Sequence, residues 1–195
     1  MVIGKFFVWA HLGKTGGDTT LCLFQLFPEL VEDADSGPGK HATFAERPDR
    51  VAGKTRALNI RRLPSWVLAF SVHKTLYGLR GRSKRGPMDS PHQMARSHDP
   101  DYYLRTYLQG GAISHWMRVE YLKEDFLSFI SHYADVSDNR RLAVQRLAPA
   151  NTATYDRDPS HWFSDSQIAL LYESNPLWAK VEQQVYSRQA AGLGE

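Results

Sequence analysis

The chain reads as an α/β domain, and three stretches carry that reading. Short apolar, β-branched and aromatic runs occur at Lys5–Ala10 (KFFVWA), Arg56–Arg62 (RALNIRR) and His115–Leu122 (HWMRVEYL), and each has the pattern of a strand. Each is followed by a segment with helical spacing: Thr19–Phe27, Ser65–Leu79 and Lys123–Tyr133. Strands alternating with helices imply a parallel sheet with helices on both faces. With 195 residues, 42% of them hydrophobic, the chain can bury a sizeable core. A single domain over 1–195 is expected.

The first strand runs into His11–Asp18, where Gly13, Gly16 and Gly17 surround Lys14 and Thr15. Thr19–Phe27 (TTLCLFQLF) then reads as a helix with Asp18 or Thr19 as N-cap. Strand, Gly-rich turn and helix start together build an anion site. Glycines let backbone N–H groups turn inward, and the helix start adds its own N–H groups and partial positive charge. Lys14 adds a full charge, and the Thr15, Thr19 and Thr20 hydroxyls add donors. An ordinary strand–helix turn with an exposed lysine is the plainer alternative. Gly13-Lys14-Thr15 also matches the end of the P-loop pattern, but Val8 stands where its first glycine belongs, and here the glycines follow the lysine.

His11-x-x-Lys14-Thr15-Gly16-Gly17-x-Thr19 resembles the H-x-P-K-T-G-G-T/S loop of PAPS-dependent sulfotransferases, the carbohydrate type and its bacterial relatives in particular. In that family the loop holds the 5′-phosphosulfate end of PAPS (3′-phosphoadenosine 5′-phosphosulfate). This chain has Gly13 for the family's Pro and an inserted Asp18, which suits an N-cap better than a ligand contact. Arg62-x-Pro64 resembles the family's next element, a strand ending in Arg before a Pro-started helix, where an R-x7-S pair binds the 3′-phosphate. Arg61 or Arg62 takes the arginine's place; the serine is out of register, and Ser65 and Ser71 are the nearest. Trp116-x-Arg118-x-Glu120-x-Leu122-x-x-Asp125 resembles the family's late strand–helix unit, a structural element, so Arg118, Glu120 and Asp125 receive no catalytic role. The R-K-G-x-x-G-D-W-K element of cytosolic sulfotransferases is absent, which points away from phenol and steroid acceptors.

The resemblance implies a three-layer, P-loop-like parallel sheet flanked by helices. It implies a sulfotransferase that moves a sulfuryl group from PAPS, without a metal, to a hydroxyl or amine of a small-molecule or saccharide acceptor. By the resemblance Lys14 stabilises the leaving group, and Thr15, Gly16, Gly17, Thr19 and Thr20 hold the 5′-phosphate. Arg61, Arg62 and Ser71 are the candidates for the 3′-phosphate. Family members take a general base, His or Glu, from the segment after the loop. His41 is the first candidate, because imidazole titrates near neutrality and a loop leaving the second strand would lie near the phosphate site. Glu46 is the second, although Thr43 and Glu46 have capping-box spacing. His11, at a strand end, shapes the loop. Two other readings remain: a Mg²⁺-dependent small-molecule or nucleotide kinase using Gly13-Lys14-Thr15, and a non-catalytic nucleotide-binding module of the same fold.

The remaining stretches set limits. The formal net charge of +3 suits a small anionic ligand. No apolar run approaches the length of a membrane span, and the N-terminus lacks a signal-peptide layout. The single cysteine, Cys22, reads as core and fits a reducing, cytoplasmic setting. Glu29–Asp35 reads as an acidic solvated face ahead of a turn. Residues 78–100 read as a basic flexible loop, either an acceptor-binding lid or a surface segment; without interleaved aromatics it does not suggest nucleic acid. Asp101–Leu108 reads as a short helix whose Tyr102, Tyr103 and Tyr107 are available for packing, the first reading, or for sugar stacking. Arg140–Pro149, Ser164–Tyr172 and Asn175–Tyr186 read as helices, the second capped by Ser164 and the third with Leu177, Val181, Val185 and Tyr186 on one face.

Overall fold

The computed structural model describes residues 1–77 and 99–191. The basic segment expected at 78–100 therefore lies outside the described residues, save its last two positions. The chain divides into two compact units: residues 1–60 with 106–151, and residues 61–105 with 152–195.

The first unit holds a five-stranded sheet in the order β3-β1-β2-β4-β5. Its strands are β1 (Val2–Gly4), β2 (Phe7–Ala10), β3 (Val31–Ala34), β4 (Thr55–Ile60) and β5 (His115–Arg118). β2, β4 and β5 are parallel neighbours, whereas β1 runs antiparallel to both β2 and β3. The sheet is thus mixed, not purely parallel as expected. The cause is local: only Lys5 and Phe6 separate β1 from β2, and two residues close a hairpin but cannot carry a crossover. Lys5 and Phe6 are exposed, so the first strand is shorter than its apolar run.

β3 arises from the acidic stretch expected to be a solvated face. Its backbone pairs with β1 while Glu32, Asp33 and Ala34 stay exposed. Charge is tolerated on an edge strand because it deters pairing with another chain. Lys54 meets Glu32 at 2.9 Å, and Arg50 pairs with Asp33.

Alternate strand residues build the core. Val2, Phe7, Trp9, Ala57 and Met117 pack with Leu23 and Phe24 of α1 (Gly17–Phe24) and with Phe126, Phe129 and Ile130 further along the chain. The latter three lie on an amphipathic helix; α2 (Pro48–Val51) is a single turn. The strand residues of opposite parity, Val8, Ala10, Leu58 and Ile60, are buried too, as the near-continuous apolar pattern of a doubly covered parallel strand requires. β5 ends in a 3₁₀ turn at Val119–Tyr121, not at Leu122 as expected. Arg118 there donates from Nε and Nη2 to Asp125, whose Oδ2 also accepts the Arg118 N–H at 2.7 Å.

The second unit contains α3 (Leu63–Tyr77) and most of α4 (Pro100–Leu108). Back in the first unit follow α5 (Leu122–Ile130) and α6 (Asp138–Arg146); α7 (Asp165–Ser174) and α8 (Pro176–Ala191) complete the second. There the Trp66 and Trp178 rings lie 5.0 Å apart. Asp101 accepts the Leu177 and Trp178 N–H groups at 2.9 and 2.7 Å and so caps α8 from outside that helix. Among the described residues of α8 the buried ones are Trp178, Val181 and Glu182, with Leu177 only half-buried. Among the described residues no helix is long and apolar enough to cross a membrane.

Candidate functional site

The Gly-rich turn is held from below by Asn59 of β4. In a parallel register Asn59 shares a sheet face with Trp9 and Ala57, so its amide points to the side where α1 packs. Its Oδ1 accepts the Trp9 indole N–H at 2.8 Å, while its Nδ2 donates to the Thr15 carbonyl at 2.8 Å and to Thr20 Oγ1 at 2.7 Å. A buried amide with both its donors and its oxygen engaged is a rigid support.

Above this support the backbone takes two left-handed steps, at Lys14 (φ 66°) and Gly16 (φ 73°). Gly16 tolerates that conformation without strain; Lys14 carries a side chain there and is held by the turn around it. The helical ladder starts with the Thr20 N–H, which bonds the Gly16 carbonyl at 3.0 Å. That leaves the N–H groups of Gly17, Asp18 and Thr19 at the open end of α1. The N-cap is Gly16, and no side chain caps the helix.

Neither expected cap, Asp18 or Thr19, holds the N-cap position. Asp18 lies inside the first turn, where Lys40 Nζ and Asn151 Nδ2 each donate to its carboxylate at 2.7 Å. Burial opposes its charge, but these two donors outweigh burial and hold its carboxyl below the usual range. The threonines also differ from expectation. Thr15 Oγ1 donates to the Leu12 carbonyl at 2.6 Å, Thr20 Oγ1 donates to the Gly16 carbonyl at 3.2 Å, and Thr19 Oγ1 accepts the Ala150 N–H at 3.0 Å. Thr15 and Thr20 are fully buried. These hydroxyls build the turn, so the groups it presents are backbone N–H groups and the half-buried Lys14.

Two histidines meet beside the turn. The His11 ring lies so close over Gly17 that a Cβ there would overlap its Cδ2 and Nε2 atoms. Burial, then the neighbouring His41, lowers the His11 pKa to about 3, so its imidazole stays neutral. His41 ends a 3₁₀ turn, Gly37–His41, and is exposed. Its ring centroid is 4.4 Å from that of His11, and its Nδ1 is 3.0 Å from the His11 carbonyl oxygen. A carbonyl only accepts, so Nδ1 carries the hydrogen and neutral His41 presents a bare Nε2.

Glu46 is engaged elsewhere. Its Oε2 accepts from Thr43 N–H at 2.7 Å and from Thr43 Oγ1 at 3.0 Å, which holds its carboxyl below the usual range. No helix begins at Thr43, because the backbone turns and Pro48 opens the short α2 instead. Arg61, Arg62 and Ser71 belong to the second unit. There Arg62 pairs with Glu182 at 3.5 Å and covers the Tyr186 ring. Ser71 is buried and donates to the Val67 carbonyl at 2.9 Å, within α3. The Arg61 carbonyl accepts the Trp178 indole N–H at 3.0 Å.

Lys14, Gly16, Gly17, Thr19 and Thr20 thus come together with His41 in the first unit. Reasoning from sequence alone missed Asn59, Lys40, Asn151 and Tyr107 as its supports. Asn59 left one trace, a lone amide inside an apolar strand. Comparison with protein-family models, curated proteins and solved structures found no match.

Proposed function

We propose that the turn at Gly13–Thr19 binds the phosphate of a nucleotide donor and that the protein transfers a sulfuryl group from PAPS to an acceptor hydroxyl. The observation that carries the reading is the uncapped start of α1 under a left-handed Lys14–Gly16 turn, with an exposed imidazole beside it. N–H groups at a helix start, joined by a lysine, favour a phosphate.

PAPS supplies the sulfuryl group and, as its S–O bond breaks, takes the electron pair on its 5′-phosphate oxygen. Lys14 then faces the charge that builds on that oxygen, and the N–H groups of Gly17 and Asp18 hold the phosphate in place. His41 Nε2 takes the acceptor's proton as the new O–S bond forms. Lys40 and Asn151 matter because they neutralise and tether Asp18, whose charge would otherwise oppose a bound anion.

Thermal shift tests the reading without knowledge of the acceptor. A ligand at a hundredfold excess over its Kd stabilises the folded state by about 2.7 kcal/mol. Saturating adenosine 3′,5′-bisphosphate should therefore raise Tm by about 5–10 °C without magnesium. ATP with Mg²⁺ should do less. The reverse order would favour a kinase, and no shift with either ligand would leave the turn a structural element only.

A further inference from the structure

We infer that Tyr107 is a positioning residue that locks His41 in the tautomer with a bare Nε2, by clamping the carbonyl groups of His11 and His41 with one phenol. The inference deepens the reading of His41 as the base and, for its catalytic consequence, rests on it.

Tyr107 lies in the part of α4 that belongs to the first unit. Its hydroxyl is 2.9 Å from the His11 carbonyl oxygen and 3.0 Å from the His41 carbonyl oxygen. The one phenol hydrogen is shared between the two carbonyls, and the His11 carbonyl accepts from His41 Nδ1 as well. The phenol joins the end of β2 to the 3₁₀ turn that carries His41. That junction fixes how far the His41 ring stands from the carbonyl its Nδ1 must reach. The backbone approaches closely nearby: a Cβ on Gly110 would overlap Phe44 Cβ, so the chain after α4 sits tight against the segment following His41.

The clamp is robust. Tyr107 is buried, and burial raises its pKa above the ordinary value, so the phenol remains a donor. His11 cannot disturb the arrangement by taking a proton near neutral pH, because its imidazole is buried and neutral. The Nδ1–H form imposed on His41 is the less populated one for histidine free in water, so holding it needs a fixed acceptor. Without the phenol, the turn bearing His41 loses one of its ties to β2, and the ring is free to exchange tautomers.

Nitrogen NMR of the full chain reads this directly, with the His41 signals identified by their loss in His41→Asn. In the wild-type protein Nδ1 should be protonated and Nε2 bare, and a slowly exchanging Tyr107 hydroxyl proton should be visible. In Tyr107→Phe the His41 signals should move to an average of two tautomers, while the His115 and His132 signals stay in place. A wild-type His41 protonated at Nε2 overturns the inference, whether or not the variant folds. So does a folded Tyr107→Phe with wild-type His41 signals, or a Tyr107 hydroxyl that exchanges freely. None of these readouts needs a donor nucleotide, so they stand apart from the fate of the sulfuryl-transfer reading. Where transfer is measurable, Tyr107→Phe should lower kcat by part of the roughly 10²–10⁴-fold that a positioned general base contributes. KM for PAPS should be unchanged.

Discussion

α1 and α7 begin in opposite ways. At α7, Ser164 Oγ accepts the Gln167 N–H at 3.3 Å, and Gln167 Oε1 accepts the Ser164 N–H at 2.9 Å, a complete capping box. Two donors at that helix start are satisfied within four residues of chain. At α1 the N-cap is a left-handed glycine, no side chain caps the end, and the nearest carboxylate is tied sideways to Lys40 and Asn151. A helix start whose own side chains engage two of its N–H groups has less to offer a ligand. One held open by Asn59 and His11, packed beneath it, presents N–H groups that an anion can satisfy.

The largest contrast should come from Lys14. Lys14→Ala keeps a side chain at the same left-handed position, so it removes charge without changing the strain there. Transfer should fall by about 10²–10³-fold, measured with labelled PAPS, while substitutions in the α7 capping box leave turnover alone. Near-normal turnover in a folded Lys14→Ala protein would mean that the open helix start is not the donor site.

Gly17 breaks the comparison at the level of packing. Glycine to alanine inside a helix ordinarily gains about 0.5–1 kcal/mol. Here the new Cβ meets the His11 ring, so Gly17→Ala should cost about 1–3 kcal/mol in urea unfolding. Pairing it with His11→Ala should recover much of that loss, because the two residues share one contact. Equal losses in both backgrounds would disprove the stacked arrangement.

His11 adds a pH signature that the start of α7 has no counterpart for. Its folded pKa, about 3, lies below its unfolded value of 6.5. Between those values the unfolded chain binds a proton that the folded chain refuses. Stability is therefore complete above about pH 6.5 and declines as pH falls toward 3, by about 1.4 kcal/mol per pH unit at most. His115, lowered by burial and then by His132, adds to the same trend. Denaturation curves from pH 7 to 5 should show the slope, and His11→Gln should flatten it. An unchanged slope in that variant would assign the loss to other groups.

The smallest effect sharpens the contrast from the other side. Ser164→Ala should cost about 1 kcal/mol of stability, read as a shift in the urea midpoint, with bisphosphate affinity untouched. A change in that affinity would contradict the view of α7 as a helix start closed within its own chain.

The elements legible in the sequence are those whose bonds close over a few residues. β4, α5 and the Ser164 cap follow from apolar period and from capping chemistry, and each contact they need lies within a turn or along one strand. The strand–turn–helix at Phe7–Phe24 was legible for the same reason, glycines included. The misreadings are as instructive. Asp18 looked like a cap because short polar residues before a helix usually are; the turn instead closed two residues earlier on Gly16 and left Asp18 to Lys40. The acidic run at Val31–Ala34 looked like solvated surface because its side chains are solvated, and only pairing with β1 makes it a strand.

By itself the sequence determined an α/β chain organised around a Gly-rich turn between a buried strand and a helix. That much is local, because backbone conformation and apolar period act over short distances along the chain. Tertiary structure alone decided what the turn presents. Asn59 reaches Thr20 across 39 residues, His41 reaches His11 across 30, and Tyr107 reaches His11 across 96. Such bonds depend on which strand neighbours which and on the register between them. A one-residue slip in β4 would turn Asn59 to the other face of the sheet. The Thr15 and Thr20 hydroxyls bond carbonyls within the turn, Asn59 and Ala150 bring donors to Thr20 and Thr19 from afar, and the α1 N–H groups, the half-buried Lys14 and the exposed His41 ring lie about the same turn.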